Sequence, residues 1–123
     1  MLDLCMAKPG AWADCPFGPE PICVRIGKRI FAEIFPGRSW VTLKCEPVYG
    51  LAMRARYPQA VRRGYHCPVP QHPYNNTVTL DGSVPEDTLL EMIDHSYRYA
   101  LGSLTRAQRE EALRRRPDGS TTQ

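Results

Sequence analysis

A chain of 123 residues, 42% apolar and 24% charged, has material for one hydrophobic core but not for two. Its net charge is +3, and no run approaches the roughly 18 apolar residues that cross a bilayer, so no membrane partner is expected. Five cysteines (Cys5, Cys15, Cys23, Cys45, Cys67) are odd in number and form no CxxC, which argues against a disulfide framework and for a reducing cytoplasm.

The opening stretch MLDLCMAKPGAW lacks a basic segment followed by an apolar one, so a secretory leader is not expected. Residues 2–7 can form a short helix, stopped by Pro9-Gly10, and ADCPFGPEP reads as loop. Ile22, Val24 and Ile26 then alternate with Cys23 and Arg25. Gly27-Lys28 turns the chain, and Ile30–Phe35 returns as the second strand of a hairpin. After Pro36-Gly37-Arg38, residues 39–45 make a third strand. Pro47 suits the first position of a helix over about 47–57, with Val48, Leu51, Ala52 and Ala55 as its apolar face and Pro58 as its end.

Residues 61–67 and 75–81 are expected as strands on either side of the proline-rich PVPQHPY. From Pro85 to Leu101, Leu89, Leu90, Ile93, Tyr97, Ala100 and Leu101 follow the helical repeat, with Glu86 and Asp87 favourably placed in the first turn. Thr105 and Gln108 form a capping box for a final short helix. The order α-β-β-β-α-β-β-α predicts one two-layer α+β domain over residues 1–116, an antiparallel sheet with helices on one face, followed by a disordered tail at 117–123.

The run Asp94-His95-Ser96-Tyr97 resembles a hydrolytic site written in a line. On a helix, successive residues turn by about 100°, so Asp94 and Ser96 cannot jointly orient His95. Asp94 is instead placed to pair with Arg98. No GxxxxGK[ST], GxGxxG or GxSxG occurs, so a non-enzyme is expected. His66, Cys67 and His72 lack the second close pair that a zinc site wants, and no metal or cofactor is expected.

Charge is unevenly spread. Residues 25–63 hold nine Lys and Arg against Glu33 and Glu46, whereas 64–97 hold five acids and neither Lys nor Arg. This asymmetry points to an anionic partner, with DNA as the leading expectation. Arg25, Lys28 and Arg29 gather at a hairpin tip, with Lys44, Arg54, Arg62 and Arg63 as further phosphate contacts of low sequence specificity. Phe17, Trp40, Tyr65 and Tyr74 are candidates for stacking on bases. The alternative is a protein-interaction or chaperone-like module that uses a sheet face or helix groove.

Several motifs in order resemble the MmcQ/YjbR family: Pro16-Phe17-Gly18, Arg29-Ile30-Phe31-Ala32, Leu43-Lys44-Cys45-Glu46-Pro47, Arg56-Tyr57-Pro58, Tyr65-His66, Asn76-Thr77-Val78, and LDG-x-VP followed by Ile93-Asp94-His95-Ser96-Tyr97. The resemblance runs from about Leu4 to Leu104 and implies a frataxin-like or secretion-chaperone-like topology. It also implies the family's description as DNA-binding proteins with a double wing of hairpins. The chain departs from the pattern in two places. Asn75 stands where the family usually has tryptophan, and the loop after His66 carries no Lys or Arg.

Overall fold

The computed structural model describes residues 1–115; the expected tail disorder at 117–123 lies outside them. Four helices and six strands follow in the order α1 (Leu2–Met6), β1 (Trp12–Asp14), β2 (Ile22–Ile26), β3 (Arg29–Phe35), β4 (Trp40–Lys44), α2 (Pro47–Arg56), β5 (Val61–Arg63), β6 (Asn75–Thr79), α3 (Glu86–Gly102) and α4 (Arg106–Leu113). Short 3-10 turns occupy Pro36–Arg38 and Val69–Tyr74. The strands form one antiparallel sheet in the order β1-β2-β3-β4-β6-β5. The fold is therefore two-layer α+β, as the sequence implies.

Paired residues share a face of a sheet, so the register sorts the side chains. Ile22, Val24, Ala32, Ile34, Val41, Leu43, Val78 and Val61 lie on the face that α3 covers, and most of them are fully buried. From α3, Met92, Ile93, Tyr97 and Ala100 meet them at helical spacing.

The ladder has one irregularity, with a local cause and a long-range use. Val24 faces Ala32 but Arg25 faces Ile30, so Phe31 is an extra residue on β3. Its ring turns beneath α3 and meets Tyr97 edge-on at 5.4 Å. The Phe31 carbonyl accepts a hydrogen bond from Ser96 Oγ at 2.5 Å.

The DHSY run proves to be a set of ties, each to a different part of the chain. Asp94 takes both Lys8 (3.0 Å) and Arg98. His95 Nε2 accepts from the Glu46 N–H (3.0 Å), and its ring stacks on Tyr49 at 3.8 Å. Ser96 holds the bulge in β3, and Tyr97 Oη donates to the Pro9 carbonyl at 2.6 Å. The 100° turn between successive residues that forbids a joint site is what lets them reach four places.

Three expectations need correction. First, the segment after Gly10 is not all loop: Trp12–Asp14 pairs with β2 and forms the sheet edge. Second, the strand beginning at Val61 stops at Arg63, not at residue 67. Gly64 is buried against Asn75, and the chain leaves the sheet there. Third, α2 turns its expected apolar face outward. Val48 is 74% and Leu51 58% exposed, and Ala52 and Ala55 are exposed beside them. The inward side is Tyr49, Gly50, Met53, Arg54 and Tyr57. A Cβ on Gly50 would lie 2.6 Å from Cys45 Sγ, so only glycine allows this approach.

The helix termini behave as expected. Glu46 caps α2, its carboxylate accepting from the N–H groups of Val48 and Tyr49 (both 3.1 Å), with Pro47 in the first turn. Thr105 and Gln108 form the reciprocal capping box of α4.

Candidate functional site

Among the described residues, no α-helix covers the other face of the sheet. By register it presents Glu33, Thr42, Lys44, Trp40, Thr77 and Arg62. Two loops lean over it. One brings Phe17, Glu20 and Pro21 from the segment between β1 and β2; the other brings Tyr65 to Gln71 from the segment between β5 and β6. Between them runs a groove of about 670 Å³, within the roughly 300–1,000 Å³ common for ligand sites.

The loop after β5 is pinned from below and behind. Thr42 and Thr77 share a hydroxyl hydrogen bond of 2.7 Å, and Thr77 Oγ1 accepts from the Tyr65 N–H at 2.8 Å. His66 adopts φ +54°, a left-handed conformation that few side chains take, and its ring stacks on Tyr65 at 4.0 Å. Asn75, the departure from the family pattern, donates to the Gln71 carbonyl (3.1 Å) and to Cys67 Sγ (3.5 Å). It therefore ties the groove-lining loop to β6.

Beside the groove, aromatic rings and guanidiniums alternate. Arg62 lies over the Trp40 ring at 4.6 Å, with Nη1 donating to Thr79 Oγ1 at 2.9 Å. Trp40 meets Tyr65 at 5.0 Å, and Arg38 lies over both rings, at 5.5 and 5.0 Å. Phe17 stands at the rim, 70% exposed. Lys44 and Glu33 line the groove on adjacent strands. Burial raises the Glu33 carboxyl above its ordinary value, and the charges of Lys44 and Arg25 oppose that rise.

The structure distributes the sequence-predicted basic residues over several environments. Lys44 and Arg62 come together on the helix-free face, joined by Arg38, which sequence reasoning did not single out. Arg25 shares that face but is engaged: it pairs with Asp14 at 3.0 Å and lies over Trp12 at 5.5 Å. Lys28 and Arg29 are exposed at the hairpin end, where Lys28 borders a separate cleft against α4. Arg63 is exposed on the edge strand β5.

Arg54 turns inward. It donates to Asn76 Oδ1 (2.6 Å) and to the carbonyls of Asn75 (3.1 Å) and His72. Asn76, itself buried, donates to the Gly50 carbonyl (3.0 Å), so Arg54 and Asn76 together fasten α2 to β6. Of the aromatic candidates, Phe17 and Tyr65 line the groove, Trp40 lies beside it against Tyr65, and Tyr74 packs toward Tyr99 of α3.

Glu33, Arg38 and His66 are the groove residues that sequence reasoning missed. One signal was available for Glu33: an acid in the middle of the apolar strand IFAEIF. Among the described residues, no three His, Cys, Asp or Glu side chains gather as a metal site. His72 Nε2 instead bonds the Cys67 carbonyl at 2.9 Å.

An open antiparallel sheet, backed by helices on one side and carrying on the other an aromatic-lined groove with two acids (Glu20, Glu33) and two bases (Arg38, Lys44), defines a small two-layer α+β protein. The chain belongs to the YjbR family, whose model matches residues 6–99. It is 29% identical over 112 residues to the uncharacterized protein YjbR of Escherichia coli K12, covering 89% of this chain and 92% of that protein. The Deinococcus radiodurans protein DR2400, with a DUF419 domain, superposes with a TM-score of 0.79 at 30% identity, over 89% of this chain and 83% of that one. A Pseudomonas syringae protein shares the fold with a TM-score of 0.64 at 18% identity, over 80% of this chain and 93% of that one.

Proposed function

We propose that this protein binds nucleic acid in a sequence-tolerant way, as a binding protein and not a catalyst, and that a single strand laid on the helix-free face of the sheet is its preferred form. One observation carries this reading: the series Arg62, Trp40, Tyr65, Arg38 on that face, beside a groove with an exposed Phe17 at its rim. Guanidiniums and an ammonium suit phosphates, and the exposed ring of Phe17 suits an unstacked base. A duplex buries its base faces and could use only the charges. Lys28 and Arg29 at the hairpin end supply flanking phosphate contacts. Five free thiols fit a reducing, cytoplasmic setting. Among the described residues, no helix is long and apolar enough to cross a membrane.

The test is fluorescence anisotropy with a (dT)10 strand and the matching duplex across a salt series. The expected result is tighter binding of the strand, with log affinity falling by about 0.7 per log salt for each phosphate contacted. No binding at low salt, or affinity indifferent to salt, contradicts the proposal.

A second reading, a protein-interaction module, draws on the outward apolar side of α2, where Val48 and Leu51 are exposed. A Val48→Glu/Leu51→Lys variant that lost a partner while keeping (dT)10 binding would favour it.

A further inference from the structure

Among the described residues, many half-buried polar groups have partners, whereas Trp40 Nε1, Arg109 Nε and Arg115 Nε do not. Arg25 has Asp14, Arg54 has Asn76 and two carbonyls, His95 has the Glu46 N–H, and Tyr97 has the Pro9 carbonyl. Glu33 and Lys44 stand apart from this pattern. Both line the groove, both are partly buried, and among the described residues neither side chain makes a hydrogen bond or an ion pair. Glu33 sits opposite Thr42, and Lys44 lies two residues further along β4 on the same face. That diagonal separates their Cβ atoms by roughly 7–8 Å. Their tips can therefore reach one flat ligand side by side. Holding a partly desolvated carboxylate without a partner costs stability, and such groups gather where a ligand completes them.

The chemistry of the pair selects the ligand. A carboxylate only accepts, and it accepts best from two parallel N–H groups; an ammonium only donates. Guanine presents two adjacent N–H donors, N1–H and the N2 amine, with the O6 acceptor next to them on one edge. Adenine and cytosine offer a single amine on that edge, and thymine or uracil a single N–H flanked by carbonyls. The exposed ring of Phe17 at the groove's rim supplies the face on which such a base stacks.

We infer that the groove is a guanine pocket, in which Glu33 accepts from the N1–H and N2 amine of one unstacked base, Lys44 donates to its O6, and Phe17 stacks on its plane. This inference deepens the single-strand reading and rests on it for the source of the base; a free guanine nucleotide carries the same edge.

The experiment compares (dT)10 with strands carrying one central deoxyguanosine, deoxyadenosine or deoxycytidine, with GMP and AMP as separate probes. Wild-type protein should bind the guanine-bearing strand about tenfold more tightly than (dT)10, the discrimination that one bidentate base contact gives. In Glu33→Gln, that ratio should fall to about one, with an unfolding midpoint no lower than the wild type's. Equal affinity for all four strands overturns the inference and leaves the strand-binding reading standing, as does a ratio that survives in Glu33→Gln. Glu33-dependent binding of GMP over AMP, with no binding of (dT)10, upholds the pocket and removes the strand-binding reading.

Discussion

Two sets of polar residues, one on each face of the sheet, behave in opposite ways. On the helix side, the DHSY run and the Arg54–Asn76 pair sit where they do because each side chain finds a partner in a distant segment. On the open side, Glu33 and Lys44 lie in a groove without such partners among the described residues, next to rings and guanidiniums that stack on one another. A polar group with buried partners stabilises the fold, and its removal is felt as unfolding. A polar group left to a ligand adds little to the fold, and its removal is felt as lost binding. The contrast teaches that in this protein the chemically suggestive motif is scaffold, and the less conspicuous strand residues line the groove.

Substitutions should separate the two faces in order of size. Tyr97→Ala removes a buried ring, its edge contact with Phe31 and its bond to Pro9. It should cost about 4 kcal/mol in urea unfolding. Ser96→Ala leaves the Phe31 carbonyl at the bulge without its donor and should cost about 2 kcal/mol. A loss below about 0.5 kcal/mol in either would break the claim that DHSY is scaffold.

A smaller effect should appear with pH. Burial holds the His95 imidazole below its ordinary value, Arg98 adds to that, and the Glu46 and Asp94 carboxylates oppose it. Glu91, Tyr49 and Tyr99 line the same recess. His95 therefore binds its proton more readily in the unfolded chain than in the fold. The stability that its neutral ring contributes is complete above the ordinary histidine range and is lost as pH falls through it, when Nε2 can no longer accept from Glu46. Unfolding midpoints between pH 8 and pH 5 should fall for the wild type and fall less for His95→Gln. Equal slopes would contradict this.

The smallest effect belongs to the open face. Glu33→Gln should leave stability unchanged or slightly raised, because it removes a carboxylate whose charged form burial disfavours. A loss above about 1 kcal/mol would mean that Glu33 is scaffold too.

Much of the fold was legible, and what was not has physical reasons. Alternation and turn chemistry revealed the β2–β3 hairpin, and the capping box at Thr105 located α4. β1 was hidden because Trp12–Asp14 is too short to alternate visibly. It is held across the sheet edge by Asp14 on Arg25 and by Trp12 Nε1 on the Gly27 carbonyl at 3.0 Å, contacts that local pattern does not encode. In α2 hydrophobicity alone chose the wrong side. Tyr49, Gly50, Met53, Arg54 and Tyr57 repeat at helical spacing as well, and they pack by close approach and hydrogen bonds. The basic segment was legible as charge but not as surface. Arg25 and Arg54 are engaged inside the fold, and Arg38 joins only because a turn carries it over Trp40. The groove draws on strands and loops from Phe17 to Asn75, so no local motif could announce it.

The most direct test reverses charge on one face at a time. Lys44→Glu/Arg62→Glu alters the open face, and Arg56→Glu/Arg106→Glu makes the same change in net charge at exposed positions on α2 and α4. Binding of (dT)10 is measured for both at several salt concentrations, with folding checked by circular dichroism. The account predicts that the open-face variant loses about tenfold or more in affinity, with a shallower salt dependence by about one contact per residue. The helix-side variant should stay within about threefold of the wild type. Equal losses in both variants would reduce binding to net charge, and a loss confined to the helix-side variant would place the nucleic acid on the wrong face of the sheet.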